Sequence, residues 1–425
     1  PNSEPTASSE HPGRTLEASR SPRMRQGGHV NPVEQAPAYD VRRMNRERLD
    51  RLRHHMVEQG VALVLVLHDP HVAYASGHVA PAIDATHAIH QRPVAVIGLQ
   101  GPVQLFADGP APGPDVEVHP PLFPELDESM ADLADAIGSA TGGDSGCLAI
   151  DEITGAMLRS GVLDDFELVD AGRVLGPARL VKTRDELACI DRAQRINEAA
   201  MEEVQAACLP GVRRSELAGL FISRVHQLGV HHVLIDPIFQ PMPRNRSDGP
   251  RTSTDHVAFP TGVEDPTFAE GDLVWVDTGI GVEGYASDYG RTWVAGRDPS
   301  PAEQDLFDRW SAVMEASLAA IGPGATLAEV GRAARRVDPG ATPWLPHFYL
   351  AHGVGLESAE MPLVGTDLGE PFDEQFVLEA GMVLVLEPVA WEDGVGGYRA
   401  EEIVAVTDDG WRPLGGWPGY RPFQS

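Results

Sequence analysis

Lysine is almost missing from this 425-residue chain: of 33 basic residues, only Lys182 is not an arginine. Base composition of a GC-rich coding sequence accounts for that bias, and nothing in the sequence gives Lys182 a further role. Cysteine is nearly as scarce. Cys147, Cys189 and Cys208 are odd in number and lack C-x-x-C spacing, which excludes a disulfide framework and points to a reducing compartment. No apolar run reaches the roughly 18–20 residues a membrane-spanning helix requires, and none precedes a cleavage site. The cytoplasm is the expected location. Positive charge is also short, with 33 Lys and Arg against 63 Asp and Glu for a formal net charge of −30. Nucleic acid and anionic membranes are therefore poor partners.

A hydrophobic content of 42% over this length allows two domains with substantial cores. Residues 1–38 are rich in Pro, Ser, Glu and Gly without apolar periodicity and read as a disordered arm. Met44, Leu49, Leu52 and Met56 then form a helical stripe, and VALVLVL follows as a buried-strand run. PVAVIGL, VQLFA, CLAI and FELVD continue the strands, with MADLADAIGSA as a helix among them, so residues 39–180 read as an α/β domain with a mixed sheet. Residues 181–425 read as α+β. They carry helices near 184–208 and 214–228, paired hairpins, and a further helix over PAEQDLFDRWSAVMEASLAAI. No solenoid-type repeat is present.

The chemistry gathers in the hairpins. Strand-like LVWV leads into Asp277, and alternating YASDYGRTWV carries Asp288, with GVEG as the turn between them. A turn centred between Val282 and Glu283 would set Asp277 directly opposite Asp288, with Cβ atoms roughly 4.5–5.5 Å apart. Downstream, MVLVLE and YRAEEIVAV flank a loop centred on Gly394, which sets Glu387 against Glu401. Carboxylates so close repel one another and raise their own pKa values unless cations neutralise them. With His352 in AHGVGLESAE as a single imidazole, an oxygen-rich set of this kind suits two divalent ions of Mn, Co, Zn or Fe. Two ions roughly 3.5–4 Å apart can hold a bridging hydroxide and polarise a carbonyl, so the implied chemistry is metal-assisted hydrolysis.

VDTG with YASDYGRT, HGVGLE, GMVLVLEP and YRAEE followed by IVAVTDDG make residues 185–425 resemble the catalytic domain of the prolidase, aminopeptidase P, methionine aminopeptidase and creatinase superfamily. RMNRERLDRLRHHMVEQGVALVLVLHDPHVAYASG resembles the opening of the creatinase-type N-terminal domain, and RLVKTRDELACIDRAQRINEAAMEEV resembles the junction between the two. The resemblance implies a C-terminal pita-bread domain of paired antiparallel hairpins and helices, preceded by a creatinase-type α/β domain, and a homodimer. It implies that Asp277 chelates one metal, that Asp288 and Glu401 bridge both, and that His352 and Glu387 hold the second. Glu387 is also the implied acceptor of a proton from the attacking water. Arg399 matches an arginine near the site.

Two departures bear on the substrate. Where the peptidases carry a second histidine seven positions after the first, this chain has Ala359, so an expected proton shuttle is missing. An upstream histidine should stand seventeen positions before Asp277, where Pro260 lies; His256 takes its place only with an insertion of about four residues. His347 is another candidate acid or hydrogen-bond donor. The leading expectation is hydrolysis of a short peptide, an Xaa-Pro dipeptide or an N-terminal residue next to proline. Creatinase-like, ectoine hydrolase-like or dimethylsulfoniopropionate lyase-like turnover of a non-peptide small molecule is the second. The lyase resemblance is tempered by DTG at 277–279, where that enzyme has an extra aspartate. A binding protein without catalysis is the third, and loss of metal ligands would mark it.

Overall fold

The computed structural model describes residues 36–80, 92–143, 145–230, 232–248, 265, 267–339, 350–366 and 368–416. All but the last three positions of the expected arm at 1–38 lie outside the described residues, as do His256, Pro260 and His347.

Local chemistry sets the limits of the first helix, α1 (Val41–Gln59). The Asp40 carboxylate accepts hydrogen bonds from the backbone N–H groups of Arg42 and Arg43, and Gly60 ends the helix in the left-handed region at φ 67°. Its stripe of Met44, Leu49, Leu52 and Met56 is buried.

A six-stranded sheet follows, built from β1 (Leu63–Val66), β2 (Val94–Gly98), β3 (Val103–Phe106), β4 (Val116–His119), β5 (Cys147–Ile150) and β6 (Glu167–Asp170) in the order β4-β3-β2-β1-β5-β6. The β1–β2 and β2–β3 pairs are antiparallel, and the other three pairs are parallel. Helices cover both faces, which is why its central strands are apolar throughout instead of alternating. Val64 and Val66 pack with α1, α2 (Asp69–Ser76) and α5 (Gly172–Leu180). Leu63 and Leu65 pack on the opposite side with α3 (Met130–Thr141) and α4 (Gly155–Ser160).

The chain then enters α6 (Arg184–Ala207), started by a reciprocal Thr183–Glu186 capping box, and α7 (Arg214–Gln227). These two helices pack on a sheet of β7 (His232–Pro241), β8 (Leu273–Val282), β9 (Tyr285–Ala286) and β10 (Tyr289–Val294), ordered β10-β8-β7 with β9 beside β8. A second helical pair, α8 (Pro301–Ala319) and α9 (Leu327–Val337), packs on β11 (Ala351–Gly353), β12 (Glu360–Val364), β13 (Val383–Leu386), β16 (Glu402–Thr407) and β17 (Gly410–Pro413), ordered β12-β11-β13-β16-β17. The short α10 (Glu370–Asp373) follows β12, and the hairpin β14 (Val389–Glu392) with β15 (Gly396–Arg399) completes the element set. Among the described residues no helix is long and apolar enough to cross a membrane.

The two-residue period of these strands decides which side chains face the helices and which face away. Val274 and Val276 of β8 join the core under α6 and α7, while Leu273 and Trp275 pack on the other side with Val389 of β14. Asp277 shares that second parity. Likewise Leu384, Leu386, Val404 and Val406 pack under α8 and α9, whereas Val385 and Ile403 belong to a different cluster. Glu387 and Glu401 share the parity of Val385 and Ile403, and His352 is directly opposite Val385. Strand alternation therefore turns Asp277 away from α6 and α7, and His352, Glu387 and Glu401 away from α8 and α9.

Candidate metal centre

The first hairpin has a different register from the one its sequence suggests. Val282 pairs with Tyr285 and Gly281 with Ala286, so the turn residues are Glu283 and Gly284, with φ of 51° and 84°. A two-residue hairpin turn of this hand needs positive φ at both positions, and glycine at the second satisfies it. The centre moves by one residue, and Asp277 stands opposite Gly290 instead of Asp288. A shift of the partner by two residues preserves the face, so Asp288 becomes a diagonal neighbour of Asp277 on the same side. Gly290 has its own purpose. A Cβ there would lie 2.5 Å from Cδ of Glu401, so only glycine lets that carboxylate lie this close to β10.

The second hairpin has the register centred on Gly394. Val389 faces Arg399 and Glu392 faces Gly396 in β14–β15, and the same register resumes in β13–β16 with Leu386 opposite Glu402. Glu387 and Glu401 fall between these two ladders, across from each other.

The two hairpins meet at one point. Asp277, Asp288 and Glu401 each offer an oxygen within 4.8 Å of the others. Nε2 of His352 is 3.4 Å from both Asp288 Oδ2 and Glu387 Oε1. Arg399 lies in the middle, its guanidinium 3.1 Å from Asp277 Oδ2, also paired with Glu387 and Glu401, and 5.3 Å from the centre of the Trp275 ring. All six side chains are buried, with Glu401 at 0% exposure and Arg399 at 4%. The structure thus brings Asp277, Asp288, His352, Glu387, Glu401 and Arg399 together. Ala359 is exposed just ahead of β12.

Burial sets the electrostatics. It pushes the Asp277, Asp288 and Glu387 carboxyls above their ordinary range, and for Asp288 the charges of Glu401, Asp277 and Glu387 add to the shift. Glu401 is pushed up to about 7 by burial against the opposing pull of Arg399. Burial lowers His352 to about 4, leaving a neutral imidazole. Its Nδ1 is 2.8 Å from the Gly353 carbonyl oxygen, which assigns the proton to Nδ1 and the lone pair to Nε2, on the carboxylate side.

Four carboxylates share this space with one guanidinium, a formal excess of three negative charges when all are ionised. Asp277 Oδ1, Glu387 Oε1 and Glu401 Oε2 are buried and accept no hydrogen bond among the described residues. Oxygen atoms without donors, an uncompensated negative charge and a correctly tautomerised imidazole fit hard or borderline divalent cations. Asp277, Asp288, His352, Glu387 and Glu401 are the residues able to hold them.

Several residues of the site carry no motif of their own. Gly290 has a readable signal, a glycine inside a strand pattern marking close approach. Trp275 reads as ordinary core, and Gln194 and Asn197 of α6, which reach the Asp277–Asp288 hairpin, are visible only in three dimensions.

The sequence profile of metallopeptidase family M24 matches residues 188–408. The Xaa-Pro dipeptidase of Pyrococcus furiosus is 29% identical over 253 residues, 59% of this chain and 66% of the relative, just under two thirds of its length. Among solved structures, a recombinant prolidase from Thermococcus sibiricus superposes with a TM-score of 0.70 at 21% identity, covering 89% of this chain and 98% of that one. The prolidase of Pyrococcus horikoshii OT3 gives 0.65 at 22%, covering 87% and 97%. Both likenesses establish the same two-part α+β fold, a pita-bread half behind an α/β half. With more than half its residues inside the family profile, the chain belongs to metallopeptidase family M24.

Proposed function

We propose that this protein is a dinuclear, divalent-metal-dependent hydrolase of short peptides, acting on the bond before proline in Xaa-Pro dipeptides or at an N-terminal residue next to proline. One observation carries the reading: four buried carboxylates converge around a neutral histidine, and three of them, Asp277, Glu387 and Glu401, have an oxygen that accepts no hydrogen bond among the described residues. Family membership and the Xaa-Pro dipeptidase relative support the substrate class.

In this reading, as the family resemblance implies, Asp277 would hold one ion, His352 and Glu387 would hold the second, and Asp288 and Glu401 would serve both. The bound pair, of Mn, Co, Zn or Fe, supplies Lewis acidity toward the scissile carbonyl and lowers the pKa of the attacking water. The protein's own residues do the rest. Glu387 would accept the proton of that water and return it to the leaving amine, a role for a carboxyl that burial raises well above its ordinary range. Arg399 fixes Oε2 of Glu387 through its Nε at 3.1 Å, which leaves Oε1 facing His352 Nε2 at 3.4 Å. The Gly353 carbonyl holds the His352 tautomer, and burial keeps bulk water from competing for the carboxylates.

The same reading takes residues 39–180 and 181–425 as the two domains, with the chain working as a homodimer in the cytoplasm; the three cysteines, all free in the structure, support a reducing compartment. Ala359 favours a second reading, turnover of a non-peptide amide, amidine or betaine by the same centre, because the shuttle position of the peptidases holds a methyl group.

Metal analysis followed by turnover assays separates these readings. About two divalent ions per chain and cleavage of Xaa-Pro dipeptides or longer Xaa-Pro peptides support the first. Two ions with turnover only of small amidines or betaines moves the assignment to the second. A chain that takes up no divalent ion refutes both.

A further inference from the structure

Strand pairing thins out beside Asp288 in the first hairpin. Gly281 pairs with Ala286 and Thr278 with Tyr289, and between them the Ser287 N–H donates to the Ile280 carbonyl at 2.8 Å, while Gly279 and Asp288 form no ladder pair. Helix α6 adds side-chain bonds at this place. Asn197, fully buried, donates from Nδ2 to the Thr278 carbonyl at 2.8 Å and to Ser287 Oγ at 3.0 Å, and its Oδ1 accepts from Thr278 Oγ1 at 2.9 Å. One turn earlier, Gln194 Oε1 accepts the Asp288 N–H at 3.2 Å. Ser287 Oγ in turn accepts from the Ile280 N–H at 3.1 Å.

Thr278 follows Asp277 directly, and Ser287 directly precedes Asp288. A single planar amide therefore spans the neighbours of both carboxylates, using both of its N–H bonds and its carbonyl oxygen at once. The amide supplements the Ile280–Ser287 backbone bond and the Thr278–Tyr289 pair on either side of the gap.

We propose that Asn197 is a positioning residue which sets the spacing of Asp277 and Asp288 for the two ions, with Gln194 holding the Asp288 backbone. The inference rests on the metal reading above. Outer-shell partners of this sort typically carry roughly 10–100-fold of metal affinity.

The test is calorimetric titration of chelator-treated protein with Mn²⁺, well below the unfolding midpoints. Asn197→Ala is expected to weaken Mn²⁺ binding by roughly 10–100-fold, and Thr278→Val, which removes one of the three bonds, by less in the same direction. The double variant should fall short of the product of the two effects, because the bonds belong to one network. At saturating Mn²⁺ the variants should lose kcat with KM little changed. A purely structural role would lower the unfolding midpoint and leave the Mn²⁺ affinity of the folded protein as it was. That result overturns the proposal. If Asn197→Ala does not fold, Thr278→Val decides by the same criterion. Wild-type protein that binds no Mn²⁺ refutes the metal reading and this inference together, whereas normal binding by wild type and variants alike refutes the inference alone.

Discussion

Two of the buried charge clusters among the described residues differ in one respect. Around Arg399, three carboxylates pair with one guanidinium and a fourth, Asp288, lies beside them. Around Glu360, two carboxylates share two cations: Lys182 Nζ donates to Glu360 Oε1 at 2.5 Å, and Arg179 Nη2 contacts Glu360 and, at 2.5 Å, Glu357 Oε2. The Lys182 and Glu360 side chains are only 2% and 8% exposed, so desolvation is similar in the two clusters. The outcome is opposite. Burial raises Asp277, Asp288, Glu387 and Glu401, while at Glu360 burial is outweighed by the charges of Lys182 and Arg179, and the carboxyl stays below its ordinary range. Charge balance, not burial, separates them. The balanced cluster is a closed bolt between the α5–α6 junction and β12, and the unbalanced one is incomplete without cations.

The largest test of this contrast is Asp288→Ala. It removes the oxygen shared by both proposed ions, so turnover should fall by roughly 10³-fold or more, a barrier increase of about 4 kcal/mol, while circular dichroism stays near wild type. Activity retained at wild-type metal content breaks the shared-ligand role.

Ala359 is exposed and immediately precedes Glu360 of the balanced cluster. Ala359→His should raise Xaa-Pro cleavage if only a proton shuttle is missing, and general acid–base help is typically worth about 10²–10⁴-fold. Efficient cleavage by the unmodified enzyme would assign the proton to another residue, with His347 and His256 the candidates. No cleavage by either form, with both metals bound, moves the substrate to the non-peptide class.

In the closed cluster, Lys182→Met leaves Glu360 with one cation in place of two. Breaking a buried pair costs about 3–5 kcal/mol, and urea denaturation should show a loss of that order with metal content unchanged. A loss under about 1 kcal/mol, the range of a surface pair, would show that the bolt contributes little.

The smallest expected effect is a sign. Glu401 is raised from 4.5 to about 7 in the folded state, so between those values the native protein holds more protons than the unfolded chain. Asp277, Asp288 and Glu387 are raised in the same direction and together with Glu401 outweigh His352, whose lowered pKa acts the other way, so metal-free protein should lose stability as pH rises from about 4.5 through 7. Glu360 acts the other way, its contribution being lost as pH falls below its unfolded value. Thermal melts of chelator-treated protein at pH 5 and pH 8 check this, and added Mn²⁺ should stabilise most at the higher pH. Greater stability at pH 8 without metal breaks the contrast.

Much of the site was legible because its strands obey simple periods. The run MVLVL sets Glu387 by alternation, and the Gly394 loop sets its register against Glu401. The Asp277–Asp288 register was misjudged by one turn position: GVEG offers two possible centres, and the positive φ of Glu283, unusual for a residue with a side chain, cannot be read from composition. Lys182 was dismissed as a by-product of base composition, since a lone lysine has no periodicity to reveal a partner 178 residues away in Glu360. Arg399 was placed near the site, but its position among three carboxylates was not predictable from one strand.

The sequence by itself determined the strands, the faces on which the acidic residues lie, and hence that carboxylates would accumulate between the layers, because alternation and turn chemistry are local properties. Tertiary structure alone decided how many cations each cluster of carboxylates would meet. That ratio depends on which arginine or lysine arrives from a distant element, and the opposite pKa directions of Glu360 and Glu401 follow from it.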